Sequence, residues 1–252
     1  MEAAESVARL AGARALGFFG RGLAVETKGD GSPVTEADRV AEAAAHEWIF
    51  ARFGSDGFEG EEHGVRRPGA ARRWIVDPID GTRSFVRGVP LWGTLVAVAE
   101  GAHVLAGAAF FPAVNELVVA GDGAGCWWNG GRCRVSPVST LAQATVLATD
   151  ERMGRSARKR EGWQRLVSQA AMSRTWGDCY GYLLVATGRA EVMADPAMHA
   201  WDTAAVAPIV TEAGGVFTDW RGMHTAFGRD AIATNAALAD PVRAALGIPV
   251  VD

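Results

Sequence analysis

The stretch Trp74-Ile75-Val76-Asp77-Pro78-Ile79-Asp80-Gly81-Thr82 carries an apolar, β-prone run straight into two carboxylates, a glycine and a hydroxyl. Successive β-formers bring Asp77 to the end of a strand, and Pro78 and Gly81 force the turn that lets Asp80 face the same space. Two acids confined together repel unless a divalent cation lies between them, and hard carboxylate oxygens suit Mg²⁺ or Mn²⁺. Gly81 and Thr82 add backbone N–H groups that suit a phosphate if a helix starts there. The same nonapeptide also reads as a strand followed by an Asx-type turn, because Asp-Pro and Asp-Gly are common turn formers. The rest of the chain decides between the two.

Upstream, residues 3 to 19 place Val7, Leu10, Ala11, Arg14 and Phe18 at helical spacing. A second helix follows Pro33: Thr35 and Asp38 have capping-box spacing with Asp in the Glu position, and Val40, Ala41, Ala44, Ala45 and Trp48 form its apolar stripe. Downstream, apolar segments punctuated by glycine near 92–99, 103–110, 115–120 and 125–128 predict a mostly antiparallel sheet. From about residue 140 strand and helix alternate: strands at 144–148, 174–176, 190–194, 216–219 and 231–234, helices near 160–171, 179–187 and 201–213, the last stopped by Gly214-Gly215. The expectation is an α+β half over 1–139 that carries Glu61, Asp77 and Asp80, and an α/β half over 140–252 that carries Asp202 and a substrate-recognition segment. No repeat or low-complexity linker separates them, so the halves are expected to pack closely.

A chain of 252 residues, 49% apolar and 21% charged, can bury a large core. No run of about 18 apolar residues is present to span a bilayer. The acidic start (Glu2, Glu5) is opposite in sign to a secretory signal, which predicts a cytoplasmic protein with no membrane partner. Cys126, Cys133 and Cys179 are odd in number and lack a CxxC spacing, so they are read as ordinary buried thiols. A net charge of −4 and a pI near 5.8 leave no electrostatic footprint for nucleic acid. The basic residues from Arg152 to Arg165 are interrupted by acids and apolar positions and read as a solvated helix face.

Two further acidic segments stand out. Gly60-Glu61-Glu62-His63-Gly64 forms a polar, glycine-bounded loop before the Asp77 strand, and Trp201-Asp202 opens the last long helix. Each has a structural alternative: Glu61 as a solvated loop acid, Asp202 as a helix-start residue, and Asp38 as a cap alone. Taken together, however, Lys28-Gly-Asp-Gly-Ser-Pro-Val-Thr-Glu-Ala-Asp38, Gly60-Glu61-Glu62, Asp77-Pro-Ile-Asp-Gly-Thr82 and Trp201-Asp202 followed by Glu212-Ala-Gly-Gly215 resemble the inositol monophosphatase family of Mg²⁺-dependent, lithium-sensitive phosphatases in order and approximate spacing. The resemblance covers nearly the whole chain. It implies a layered α/β/α/β/α sandwich, usually a homodimer, acting on a small-molecule phosphate ester. It also implies roles: Glu61, Asp77 and the Ile79 carbonyl on one Mg²⁺; Asp77, Asp80 and Asp202 on a second; a third, weaker ion near Glu61 and Glu62 in some relatives. Gly81 and Thr82 would hold the phosphate, and Thr82 with Asp38 would orient or deprotonate the attacking water. Neither His63 nor His199 comes with the partner that a covalent mechanism needs.

The segment expected to face the alcohol is Arg174-Thr-Trp-Gly-Asp-Cys-Tyr180, with Asp195 seven residues ahead of Asp202. In inositol-selective members the stretch matching Gly177 to Cys179 is generally neutral; here it holds Asp178. A second acid in a partly dehydrated pocket suits a cationic alcohol. The wording from Arg174 to Tyr182, with Ala186-Thr-Gly-Arg-Ala190, is similar to the histidinol-phosphate phosphatases of the family. Alternatives stay open. Asp178 could cap the apolar helix that follows it, Asp195 before Pro196 could be a turn residue, and Arg174 could be a packing strand residue. An inositol-1-monophosphatase or a broad-specificity sugar or polyol phosphatase is the competing enzyme, and a regulatory or RNA-associated relative the competing class. Intact metal-ligand positions and the acidic pI favour catalysis over an RNA role.

Overall fold

The computed structural model describes residues 1–22, 24–29 and 33–248; Asp30, Gly31 and Ser32 of the Lys28–Asp38 motif lie outside the described residues, as does the end of the second half, 249–252. Helix α1 (Glu2–Leu16) ends earlier than residue 19, at the glycine that follows it, Gly17. A short antiparallel pair, β1 (Glu26–Thr27) and β2 (Pro33–Val34), leads into α2 (Glu36–Arg52). The start of α2 follows the expected chemistry. Thr35 Oγ1 accepts from Ala37 N at 3.1 Å while Asp38 Oδ2 accepts from Thr35 N at 2.8 Å, so two amides at the helix start are satisfied reciprocally.

Eight strands then form one sheet: β3 (Gly57–Gly60), β4 (Gly64–Arg66), β5 (Arg72–Asp80), β6 (Gly93–Glu100), β7 (His103–Phe111), β8 (Glu116–Gly121), β9 (Gly125–Trp128) and β10 (Gly131–Arg132), in the order β10-β9-β8-β7-β6-β5-β3-β4. Neighbours are antiparallel except β3 and β5, which run parallel. The segment expected as a loop at Gly60–Gly64 is therefore a tight hairpin, its strands ending at the two glycines and only Glu61, Glu62 and His63 turning. A single turn of helix, α3 (Thr82–Val86), separates β5 from β6.

The second half builds a five-stranded sheet from β11 (Thr145–Leu147), β12 (Met172–Arg174), β13 (Val192–Asp195), β14 (Gly215–Thr218) and β15 (Ala231–Asn235), ordered β12-β11-β13-β15-β14. Strands β12, β11 and β13 are parallel, and β15 is antiparallel to both its neighbours. Its helices are α4 (Ala157–Val167), α5 (Asp178–Ala186), α6 (Ala200–Glu212) and α7 (Ala239–Leu246). Helix α4 starts before residue 160 because Ser156 caps it, accepting from Lys159 N.

Alternation of side chains along each strand decides the layering. In the large sheet Trp74, Val76, Val96, Val98, Ala108 and Phe110 face α1 and α2, where Ala8, Ala11, Ala41 and Ala45 let the helices sit close. The intervening residues Ile75, Leu95, Ala97, Ala109 and Phe111 face Leu183, Val206, Ile209 and Val210 of α5 and α6. These same helices cover Leu147, Met193, Phe217 and Ala233 of the small sheet. The far face of that sheet, with Val146, Ala148, Val192, Ala194 and Ile232, packs on Trp163, Leu166, Val242 and Leu246 of α4 and α7. The stack is thus α/β/α/β/α, as the family resemblance implies, with α5 and α6 shared between two cores. All three cysteines are buried and free.

Candidate active site

A strand of regular period two would send Asp77 and Asp80, three residues apart, to opposite faces. They do not diverge, because β5 bulges between them: Asp77 pairs with Leu95 and Asp80 with Gly93, so three steps on β5 match two on β6. Pro78 sits in the bulge, where its missing N–H costs no ladder bond, and its carbonyl accepts from Thr94 Oγ1 at 2.7 Å. Asp77 Oδ1 accepts from Ile79 N at 2.9 Å. Gly81 then takes φ +86°, a left-handed conformation, and a Cβ there would lie 3.0 Å from the Leu91 carbonyl and 3.2 Å from Asp178 Oδ2. Thr82 follows as the first residue of α3, its hydroxyl donating to the Ile79 carbonyl at 3.0 Å.

The middle helices bring the remaining acids to this bulge. Asp202, in the first turn of α6, accepts from His199 N at 2.7 Å, and one carboxylate oxygen from each of Asp77, Asp80 and Asp202 lies within 4.8 Å of the others. At the start of α5, Cys179 N donates to Asp80 Oδ1 at 2.7 Å. Burial pushes Asp77 well above the usual carboxylate range, reinforced by Glu61, Asp80 and Asp202; burial and then Asp202 push Asp80 up to about 7, and burial likewise pushes Asp202 up to about 7. Buried carboxylates in mutual repulsion, all oxygen donors, fit a hard divalent cation.

Glu61 reaches the same cleft from the β3–β4 turn. Its Oε1 accepts from Lys28 Nζ at 2.7 Å, and Glu62 Oε1 accepts from the same ammonium at 2.5 Å. Burial acts to lower the Lys28 pKa, but the two glutamates outweigh it and hold the ammonium protonated. Asp38 is fully buried at the start of α2. Its Oδ2 takes both Thr35 groups, while Oδ1 has no partner among the described residues. Burial raises its pKa, against the lowering effect of the Thr35 hydrogen bonds.

The cleft has two lobes that share Asp80, Asp178 and Asp202. One, about 320 Å³, is lined by Lys28, Glu61, Asp77, Ile79, Asp80, Gly81, Thr82, Asp178, His199, Trp201 and Asp202; His199 and Trp201 stack with ring centroids 4.7 Å apart. The other, about 610 Å³, is lined by Arg83, Thr149, Asp150, Arg152, Asp195 and Met198 besides the shared acids. Asp178 does not cap α5, since that position falls to Gly177; instead Asp178 takes φ +50° and its amide donates to Thr149 Oγ1 at 2.8 Å. Such strain in a non-glycine residue is held by surrounding contacts and clusters at functional sites. Burial, then Asp80 and Asp195, raise its pKa well above normal, with Arg83 opposing. Asp195 is buried, accepting from Thr149 N at 3.1 Å and from Tyr182 Oη at 3.0 Å, and burial raises its pKa. Arg174 lines neither lobe. It is exposed at the end of β12, and its guanidinium donates to the adjacent Ser173 carbonyl at 2.7 Å. Sequence reasoning did not assign Lys28, Thr149, Asp150 or Arg152 to the site, and none of them carries a local signal beyond the presence of Lys28 in the first motif.

A compact set of buried and half-buried carboxylates, placed where the two central helices meet the end of a bulged strand, can hold a divalent cation. Residues 1–247 match the inositol monophosphatase family, and the chain belongs to that family and is a phosphatase. It is 44% identical over 250 residues to a histidinol-phosphatase of Chlorobaculum parvum (98% of this chain, 96% of the other). It is 37% identical over 227 residues to a histidinol-phosphatase of Streptomyces coelicolor (86% and 85%). The fold is similar to that of the extragenic suppressor protein suhB from Bartonella henselae, with a TM-score of 0.92, 27% identity and 99% of each chain covered.

Proposed function

We propose that this phosphatase hydrolyses L-histidinol phosphate to L-histidinol and phosphate, with Mg²⁺ held by Glu61, Asp77, Asp80, Asp202 and the Ile79 carbonyl. The observation that carries the substrate reading is the pair of acids, Asp178 and Asp195, along the lobe that adjoins the carboxylate cluster; a third, Asp150, is paired with Arg152 at 2.7 Å. The alcohol of histidinol phosphate bears an ammonium group, which such a lobe attracts and a neutral polyol does not match. Similarity to two histidinol-phosphatases supports the same reading.

When bound, Mg²⁺ would neutralise charge on the phosphoryl oxygens and acidify the attacking water. The chain's own groups supply the rest. Gly81 and Thr82 present backbone amides to the phosphate, and the left-handed Gly81 leaves no side chain in its way. The Thr82 hydroxyl, engaged with Ile79 as donor, keeps its lone pairs for a water proton. Asp38 lines neither lobe of the cleft, but its Oδ1, without a partner among the described residues, makes it the group that would take the proton the attacking water loses. Residues 1–139 would thus provide the base and most metal ligands, and 140–252 Asp202 and the substrate acids, so that the seam between the halves is the place of reaction. The test is kcat/KM for L-histidinol phosphate and for inositol 1-phosphate with Mg²⁺. A preference of about a hundredfold or more, some 2.7 kcal/mol, is expected. Equal or reversed values refute the substrate and favour an inositol-type monophosphatase.

A further inference from the structure

We infer that Glu42 is a positioning residue for metal binding, an inference that rests on the reading of Glu61 as a metal ligand. Glu42 lies one turn beyond Asp38 on α2, and both are fully buried. Residues four apart share a helix face, so one face of α2 carries both Asp38 and Glu42. Glu42 Oε2 accepts from Glu62 N at 2.9 Å, and Oε1 accepts from His63 N at 2.7 Å and lies 2.7 Å from His63 Nδ1. Both amides belong to the β3–β4 turn whose first residue is Glu61.

A wholly buried carboxylate is tolerated only when hydrogen bonds replace its water, and here the replacing donors come from a single three-residue turn. The hold is close on its other side as well. A Cβ on Gly60 would overlap the Glu42 carboxylate, so the absence of a side chain at Gly60 lets the turn sit down on it. Glu42 therefore fixes the backbone of the turn from within the protein, while Lys28 gathers the Glu61 and Glu62 side chains from the cleft. Besides Glu42, the backbone of the turn is tied down by Glu61 N, which donates to the Val76 carbonyl at 3.3 Å, so Glu42 supplies the two amide contacts that hold its later residues. Groups that orient a metal ligand typically change metal affinity by about ten- to a hundredfold when removed.

The test measures Mn²⁺ binding directly, by the electron paramagnetic resonance signal of the free ion, alongside activity against Mn²⁺ concentration, in the wild type, Glu42→Gln, Gly60→Ala and Glu61→Gln. Glutamine keeps the shape of Glu42 but offers one acceptor oxygen where the two backbone amides need two. Gly60→Ala crowds the same carboxylate, and the Phe58 ring beside it, without altering Glu42, and decides the matter if Glu42→Gln does not fold. The expected result is a ten- to hundredfold weaker Mn²⁺ affinity in Glu42→Gln and Gly60→Ala, with KM for the phosphate ester at saturating metal within about threefold of wild type. Wild-type affinity in both, with affinity lost in Glu61→Gln, overturns the role of Glu42. Wild-type affinity in Glu61→Gln overturns the ligand reading itself, and the positioning role with it.

Discussion

Replacing Asp80 by Asn is expected to stabilise the metal-free protein at pH 8, opposite to the usual effect of altering a buried, hydrogen-bonded group. Burial and the neighbouring Asp202 raise the Asp80 pKa from 3.8 to about 7. The folded state therefore holds this proton more tightly than the unfolded chain does. The stability so gained is complete below the unfolded pKa and is lost as pH rises through the folded one. At 1.36 kcal/mol per pKa unit, a rise of roughly three is on the order of 4 kcal/mol. Coulomb's law gives a similar figure: oxygens up to 4.8 Å apart, at an effective dielectric of about 20, repel by about 3 kcal/mol per ionised pair. Asparagine has the same shape, and its Oδ1 can still accept from Cys179 N, so the bond made at 2.7 Å survives. The variant should exceed wild type by about 2–4 kcal/mol at pH 8, some 5–15 °C in Tm for a chain of this size. The advantage should shrink by about 1.4 kcal/mol per pH unit below 7 and vanish near pH 4. Thermal unfolding in EDTA from pH 4 to pH 8 measures it. Mg²⁺ at a hundred times Kd should return about 2.7 kcal/mol to the wild type and less to the variant. A variant no more stable than wild type at pH 8, or a difference that does not change with pH, refutes the idea that the cluster stores repulsion for a cation to relieve.

Two other substitutions probe the ends of the cleft. Lys28→Gln removes the ammonium that Glu61 and Glu62 share, so Mn²⁺ should bind about two- to tenfold more tightly by calorimetry as a competing positive charge disappears; equal or weaker binding would mean that Lys28 assists the ion. Asp178→Asn preserves a residue that tolerates φ +50° but removes the carboxyl that can ionise against a cation, and kcat/KM for L-histidinol phosphate should fall tenfold or more while that for inositol 1-phosphate holds or rises. A parallel fall on both esters would assign Asp178 to the fold alone.

Most of the fold is legible in the sequence because periodicity carries it. Apolar runs between glycines mark the strands of the large sheet, and the Thr35–Asp38 box, which closes at 2.8 Å, marks α2. Helix α7 leaves no such mark although Val242 and Leu246 bury one of its faces, because its eight residues are too short for a periodic signal to stand out. The Gly60–Gly64 hairpin reads as a loop for a related reason. Strands of three and four residues alternate too briefly, and β4 is exposed throughout, its one apolar residue, Val65, included.

The site divides along a different line, between what a strand and a turn dictate locally and what packing brings from elsewhere. Asp77, Asp80, Gly81 and Thr82 are close neighbours in the chain, and a proline and a glycine placed among them make their convergence readable from the residues alone. Asp202 is distant in sequence from that turn but sits at a helix start, which by itself suggests capping and nothing more; only the motif as a whole marks it. Lys28, Thr149 and Asp150 are in ordinary local settings, and it is the approach of their segments to the bulge that gives them a part. Thr149 makes the point most sharply: its hydroxyl accepts from the strained Asp178 amide and its own amide donates to Asp195, so one exposed threonine ties together the two acids proposed to select the substrate. No sequence pattern encodes that link, because it exists only when the end of β11, the start of α5 and the end of β13 meet.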